Sequence, residues 1–231
     1  IELISRKSKK KFFINKLSSL SKPQIKQIKC DLKKITSKRK NFAKLNFSKL
    51  PNIMGILNLT PDSFSDGGKF NNKDKGIKQA IKMYKSGASI IDVGGESTKP
   101  GSKGVNAKIE WNRINEILRS ICKKTPISLD TRKSEIMEKG IRYGVKLIND
   151  VSGLNYDLNT KNILKKYKIP FILQHSQGIP ENMQNNPTYK NELLDIYDFF
   201  ENKINFCVKK KFKRELIIID PGIGFGKNLK H

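Results

Sequence analysis

At 231 residues the chain is long enough for one substantial core, and its 47 Lys and Arg against 21 Asp and Glu leave a net charge of +26. That charge is mostly Lys, spread over every segment with abundant Asn and Ile, so it reads as codon bias as readily as a binding face, and no specific nucleic-acid partner is expected. The widely separated Cys30, Cys122 and Cys207 indicate neither a disulfide framework nor a paired-Cys zinc site, and no apolar run approaches the ~20 residues of a membrane span, so the expectation is a soluble, cytoplasmic protein without a membrane partner.

Residues 1–50 differ from the rest. They hold sixteen Lys and Arg against two acids, Glu2 and Asp31. Between Ser21 and Lys38, Ile25, Ile28, Leu32 and Ile35 recur at helical spacing, with Ser21 placed as N-cap and Pro23 in the first turn. The pattern predicts a basic N-terminal helical extension that packs on, or leads into, the main domain; contact with a membrane surface or nucleic acid is the other use of such a face.

From residue 51 to residue 231 short β-branched runs alternate with helical patterns. The predicted strands are 53–59, 89–95, 126–131, 146–151, 170–175 and 216–222. Between them, Ile77, Ala80, Ile81 and Tyr84 mark one helix and Ile114, Ile117, Leu118 and Ile121 the next. Two shorter helices follow, and then a long one marked by Leu193, Tyr197, Phe200, Ile204 and Val208. Near-continuous apolar strands between amphipathic helices mean an α/β fold with parallel strands, either doubly wound or a (β/α)8 TIM barrel. Asn58, Asp92, Asp130, Asn149, His175 and Asp220 each lie at or near the C-terminal end of a different strand. In a barrel all six ends meet at one mouth, whereas in an open sheet only those near a switch point do, so the barrel is favoured.

Three loops carry the chemistry. "NLTPDSFSDGG" (58–68) is long for a βα loop; Asp62 and Asp66 are oxygen ligands suited to Mg2+, and Phe64 is a flat apolar surface. "GGESTKPG" (94–101) sets Thr98, Lys99 and Pro100 just past Asp92, a hydroxyl and a cation suited to a phosphate or carboxylate. "DPGIGFGKN" (220–228) fails as a nucleotide-binding P-loop, because Pro221 and Asn228 stand where that motif needs Gly and Ser or Thr. It reads instead as Asp220 accepting two donors from a planar heterocycle, with Phe225 as a stacking surface. His175 belongs to no metal-binding cluster, and no catalytic role is assigned to it.

"MGILNLTPDSFSDGG", "IDVGGESTKPG", "LDT", "IND", "HSQG" and "DPGIGFGKN", in that order, resemble the dihydropteroate synthase family over residues 53–231. The resemblance implies condensation of (7,8-dihydropterin-6-yl)methyl diphosphate with 4-aminobenzoate, giving 7,8-dihydropteroate and diphosphate in folate biosynthesis. It implies pterin contacts from Asp92, Asp130, Asn149, Asp220 and Phe225, with Asp130 stabilising the cation left as diphosphate departs. Asn58, a second catalytic residue, is implied to hold Mg2+ together with Asp66, and Phe64, Thr98, Lys99 and Pro100 to wall the 4-aminobenzoate pocket. A homodimer is a further implication.

The chain departs from the family in carrying Lys99 where Arg is usual, and in showing six predicted strands where the barrel has eight. The family's strand-7 Ser-Arg-Lys and strand-8 Arg-x-His motifs are not among these residues. The expectation is a barrel of six βα strands whose chain, taken alone, is unstable and inactive. The pterin-binding domain of a methyltetrahydrofolate-dependent methyltransferase, a non-catalytic fragment and a Lys-rich nucleic-acid binder are the alternatives.

Overall fold

A computed structural model describes all residues except 39, 42, 49, 50, 61–71, 100 and 180, with residues 72 and 73 described through their backbone only. The chain opens with a hairpin that the sequence did not disclose, β1 (Glu2–Ile4) paired antiparallel with β2 (Lys9–Lys11). Three-residue strands, one of them all Lys, give no period-two signal. Arg6, at the turn, pairs with Asp195 and Asp198 far along the chain. Helix α1 (Lys22–Thr36) starts where expected, with Gln24 Oε1 accepting from the Ser21 backbone N–H at 3.1 Å. Its apolar stripe is shorter than predicted: Ile28 is buried, but Ile35 is exposed.

All six predicted strands form. β3 (Met54–Asn58), α2 (Asn72–Lys85), β4 (Ile90–Gly94), α3 (Ala107–Ile121), β5 (Ile127–Asp130), α4 (Ser134–Tyr143), β6 (Leu147–Asp150), α5 (Thr160–Tyr167), β7 (Phe171–Gln174), α6 (Glu192–Lys209) and β8 (Ile217–Asp220) alternate strictly. The strands pair in parallel in chain order from β3 to β8. An unreversed order is that of a (β/α) barrel wall, since a doubly wound sheet turns back at its switch point. Among the described residues β3 and β8 are the outer strands. No helix among those residues is long and apolar enough to cross a membrane.

The period of two along each strand divides the sheet into unlike faces. Ile91, Val93, Ile127, Leu129, Ile148, Phe171 and Leu173 face the helices, packed with Ile114, Ile117 and Leu118 of α3 and Met137 of α4 in one core. Burying each such side chain contributes ~1.5–3 kcal/mol, which is what fastens helices to sheet. On the opposite, concave face Met54, Ile90, Leu147, Ile172 and Ile218 lie toward the strand starts, where Ala43, Leu45 and Phe47 cover them. The segment leading into β3 is therefore a floor, and the polar residues stand above it toward the strand ends.

Helix α6 is turned relative to its predicted face. Ile196, Phe199, Phe200, Ile204 and Cys207 enter the core, while Leu193, Tyr197 and Val208 are exposed. Opposite the polar stripe of Asp195, Asp198, Asn202, Asn205 and Lys209 the apolar arc is wider than a single buried face, so helical spacing admits two faces and packing selects between them.

Candidate active site

Strand register brings most of the predicted strand-end residues onto one surface. Asn58 pairs with Gly94, Gly94 with Asp130, and Asp130 with Asn149, so these four stand side by side across β3, β4, β5 and β6. Asp92 lies two residues below Gly94 on the same face, and Asn149 Nδ2 donates to Asp92 Oδ2 at 3.1 Å. Gly94 keeps the row open: a Cβ there would stand 3.3 Å from both Cβ and Oδ2 of Asp130 and 3.5 Å from Asn58 Oδ1. At the far side Gln174 pairs with Asp220.

Several atoms of this face are buried without a partner in the protein: Asp92 Oδ1, Asn149 Oδ1 and Gln174 Nε2. An unsatisfied buried polar atom costs ~1–3 kcal/mol, so such a cluster on one face is built for a polar ligand. Burial raises the Asp92 carboxyl above the ordinary carboxylate range, against the nearby Ser128 hydroxyl and then the Asn149 hydrogen bond. Asp130 is held well above that range, first by burial and then by the nearby charge of Asp92. Two carboxyls so close hold a proton at a pH where isolated ones would not.

The loop after β4 is fastened by a buried ionic hub. Glu96 accepts from Arg132 Nε at 2.9 Å, Lys133 Nζ at 3.0 Å and the Val105 backbone N–H at 2.8 Å, closing the loop at its base. Lys133 also reaches Glu110 of α3 at 2.6 Å, and Arg132 lies over the Tyr156 ring at 4.1 Å. Burial alone would raise Glu96, but Arg132 and Lys133 outweigh it and lower its pKa. Burial prevails at Glu110, which is raised in spite of Lys133. Within this loop Thr98 is half-buried and Lys99 exposed, with the Lys99 carbonyl accepting from Ser102 Oγ at 2.7 Å. Phe64, Asp66 and Pro100 lie outside the described residues, as does Asp62.

On the other flank the turn after β8 is pressed against the end of β7. Gly222 has φ of +65°, and a Cβ on it would fall 2.0 Å from the His175 carbonyl oxygen, so no side chain fits. Asp220 Oδ1 accepts from the Gly222 N–H at 2.8 Å, which orients its carboxylate. Phe225 and Gln174 help line a cavity of about 440 Å³ that also reaches Arg132, Val151, Ser176 and Met183. His175 is not on the concave face. Its ring is buried edge-on against Phe199 of α6, centroids 4.8 Å apart, and burial with the neighbouring Lys227 lowers it to about 4.

Gln174, Glu96 and Arg132 went unnoticed in the sequence. Register reveals Gln174, because Ile172 pairs with Asn149 and the next residue on that face is Gln174, not His175. No local signal marks the Glu96 hub, whose members come from three separate elements.

A polar, carboxylate-rich face at converging parallel strand ends, beside a cavity with an aromatic wall, suits a flat heterocycle with several hydrogen-bonding edges. Residues 54–231 match the model of the pterin-binding enzyme family. The chain belongs to that family. It is 42% identical over 196 residues to the dihydropteroate synthase of Clostridium beijerinckii, covering 84% of this chain and 68% of that protein. It superposes on the Yersinia pestis dihydropteroate synthase solved with a sulfonamide drug, with a TM-score of 0.75, 40% identity, and coverage of 81% of this chain and 68% of the other. The Xanthomonas albilineans enzyme solved with 7,8-dihydropteroate gives a TM-score of 0.67 at 28% identity, covering 77% of this chain and 63% of that one. The chain thus spans about two thirds of the length of these relatives.

Proposed function

We propose that this family member acts as a dihydropteroate synthase, forming 7,8-dihydropteroate and diphosphate from (7,8-dihydropterin-6-yl)methyl diphosphate and 4-aminobenzoate. The observation that carries the proposal is the set of buried, unpaired polar atoms on the concave face, Asp92 Oδ1, Asn149 Oδ1 and Gln174 Nε2. A pterin offers a 2-amino group and an N3–H along one edge and a carbonyl and ring nitrogens elsewhere. Carboxylates accept only, so Asp220 takes the donor edge, while Asn149 and Gln174 match the mixed atoms and Phe225 covers a ring face.

In the reaction the methylene carbon–oxygen bond breaks with its electron pair leaving on diphosphate. The amino nitrogen of 4-aminobenzoate then bonds to that carbon and loses a proton. Positive charge on the pterin methylene is greatest between these events. Asp130, whose pKa is raised by burial and by Asp92, is most stabilised as a carboxylate when that positive charge forms, so its contribution falls on the transition state. Thr98, Lys99, Phe64 and Pro100 wall the 4-aminobenzoate pocket in this proposal, with Lys99 meeting the carboxylate as a point charge.

For Mg2+ the test is the donor set. No group of three His, Cys, Asp or Glu able to hold a metal occurs among the described residues. Asn58 Oδ1 is a hard oxygen beside the space that Gly94 leaves open, which suits Mg2+ with Asp66 as second donor. The ion, when bound, neutralises charge on the departing diphosphate. Calorimetric titration of the chain with the dihydropterin diphosphate, with and without Mg2+, tests the proposal alongside an assay of diphosphate release. One-to-one pterin binding that Asp220→Ala abolishes is expected. Binding of methyltetrahydrofolate with none of the dihydropterin diphosphate would overturn it.

A further inference from the structure

Lys227 is the lysine of the Gly-Lys pair that made residues 220–228 look like a phosphate loop, but its ammonium group turns into the protein. Nζ donates to the carbonyls of Gly222 and Phe225 at 3.0 Å each and lies 2.9 Å from His175 Nδ1. An ammonium has three N–H donors, and three acceptors lie within 3.0 Å of this one, with the His175 carbonyl oxygen farther off at 3.5 Å. No acidic side chain pairs with it among the described salt bridges, although the Asp220 charge acts on it; its hydrogen-bond partners are two carbonyls of its own loop, the imidazole of His175 and, at 3.5 Å, the His175 carbonyl.

We infer that Lys227 is a positioning residue for the pterin, an internal cation that draws the turn after β8 around itself, pins it to the end of β7 and so sets Asp220 and Phe225. The inference rests on the reading of those two residues as pterin contacts. The chain of contacts is short. The Gly222 carbonyl is held by Lys227 while the Gly222 N–H holds Asp220 Oδ1 at 2.8 Å, leaving Oδ2 to a ligand. The Phe225 carbonyl is held directly, which fixes a residue that lines the cavity. Close approach makes the arrangement specific: a Cβ at Gly222 would strike the His175 carbonyl oxygen, and one at Gly226 would stand 2.7 Å from the Gln177 nitrogen. The groups that face His175 are Lys227, Asp195 and Tyr189, besides the rings of Phe199 and Phe200. With its pKa near 4 the imidazole is neutral at pH 7, and Nδ1 is the acceptor.

Lys227→Ala tests this through two independent readouts, with the exposed Lys230→Ala as charge control. By NMR of the imidazole nitrogens, His175 in the unaltered chain should carry its proton on Nε2 and titrate near pH 4, and in Lys227→Ala it should move toward 6.5. By calorimetry, affinity for the dihydropterin diphosphate should fall at least tenfold in Lys227→Ala and be partly restored by methylammonium. Tetramethylammonium, which has no N–H donors, should not restore it. Unchanged His175 titration, unchanged pterin affinity, or equal rescue by both ions would overturn the inference. Should Lys227→Ala fail to fold, Lys227→Gln keeps two donors and should show the same changes at smaller amplitude, and no change there overturns it equally. Absence of pterin binding by the unaltered chain would count against the functional reading, while the His175 titration still decides whether Lys227 locks the loop.

Discussion

The loops flanking the polar face are fastened by hubs of opposite sign. Between β4 and β5 the centre is a carboxylate, Glu96, surrounded by Arg132, Lys133 and the Val105 N–H. In the turn after β8 it is an ammonium, Lys227, surrounded by the carbonyls of Gly222, Phe225 and, more distantly, His175, and by a neutral imidazole. The first hub balances full charges against one another in a buried setting, and the second satisfies one charge mainly with dipoles, the Asp220 carboxylate acting on it without a direct ion pair. Removing the centre of the first strands cations away from water, whereas removing the centre of the second leaves only neutral acceptors unpaired. The flank carrying Thr98 and Lys99 is therefore the costlier to break, and the flank carrying Asp220 and Phe225 the easier to loosen.

The largest expected effect follows from the anionic hub. Glu96→Ala should lower unfolding stability by ~3–5 kcal/mol in urea titration, because Arg132 loses its buried partner and Lys133 keeps only Glu110. A loss below that of Lys227→Ala would reverse the comparison. Lys227→Ala itself should cost about 1–3 kcal/mol in the same assay, the range for buried neutral groups left without a hydrogen bond.

Between the hubs, Asp130 tests the crowded carboxyls. Asp92, Asp130 and Asp150 are all raised from 3.8 by burial, so the folded chain binds more protons than the unfolded chain once pH exceeds that value. Their contribution to stability is thus greatest at acid pH and is lost as pH rises through the folded-state values. Asp130→Asn should stabilise the unliganded chain at pH 7 and flatten the decline above pH ~4, while abolishing turnover. Melting temperature measured across pH 4 to 8 decides it, and an equally steep decline in the variant would show that Asp130 is ionised throughout.

The smallest effect is expected at Arg6. Its pairing with Asp195 and Asp198 is exposed, and Arg6→Ala should leave the melting temperature unchanged within error. A clear drop would mean that a surface pair matters as much as a buried hub, and the distinction drawn from burial would fail.

Much of this molecule is legible along the chain. Each of the six parallel strands declares itself as a β-branched run closed by a polar residue, and Asn58, Asp92, Asp130, Asn149 and Asp220 are visible because a lone carboxylate or carboxamide at the end of such a run is a local feature. The loop motifs that resemble pterin-binding enzymes are local too. What the sequence by itself determined is therefore the order of elements from residue 51 onward, the barrel-type winding and most of the polar row.

Tertiary structure decided the rest. Whether Gln174 or His175 faces the mouth depends on which parity of β7 packs against α6, which is set by register with β6 and β8 and not by the run "PFILQH". Which part of its apolar arc α6 buries depends on what it meets, since that arc is wider than one packed face. Glu96, Glu110, Arg132 and Lys133 look like ordinary surface charges until three elements converge on them, and Lys227 looks like a phosphate ligand until its loop folds back on His175. Periodicity is a property of neighbours in sequence, but the desolvation that turns a charge into a hub is a property of neighbours in space.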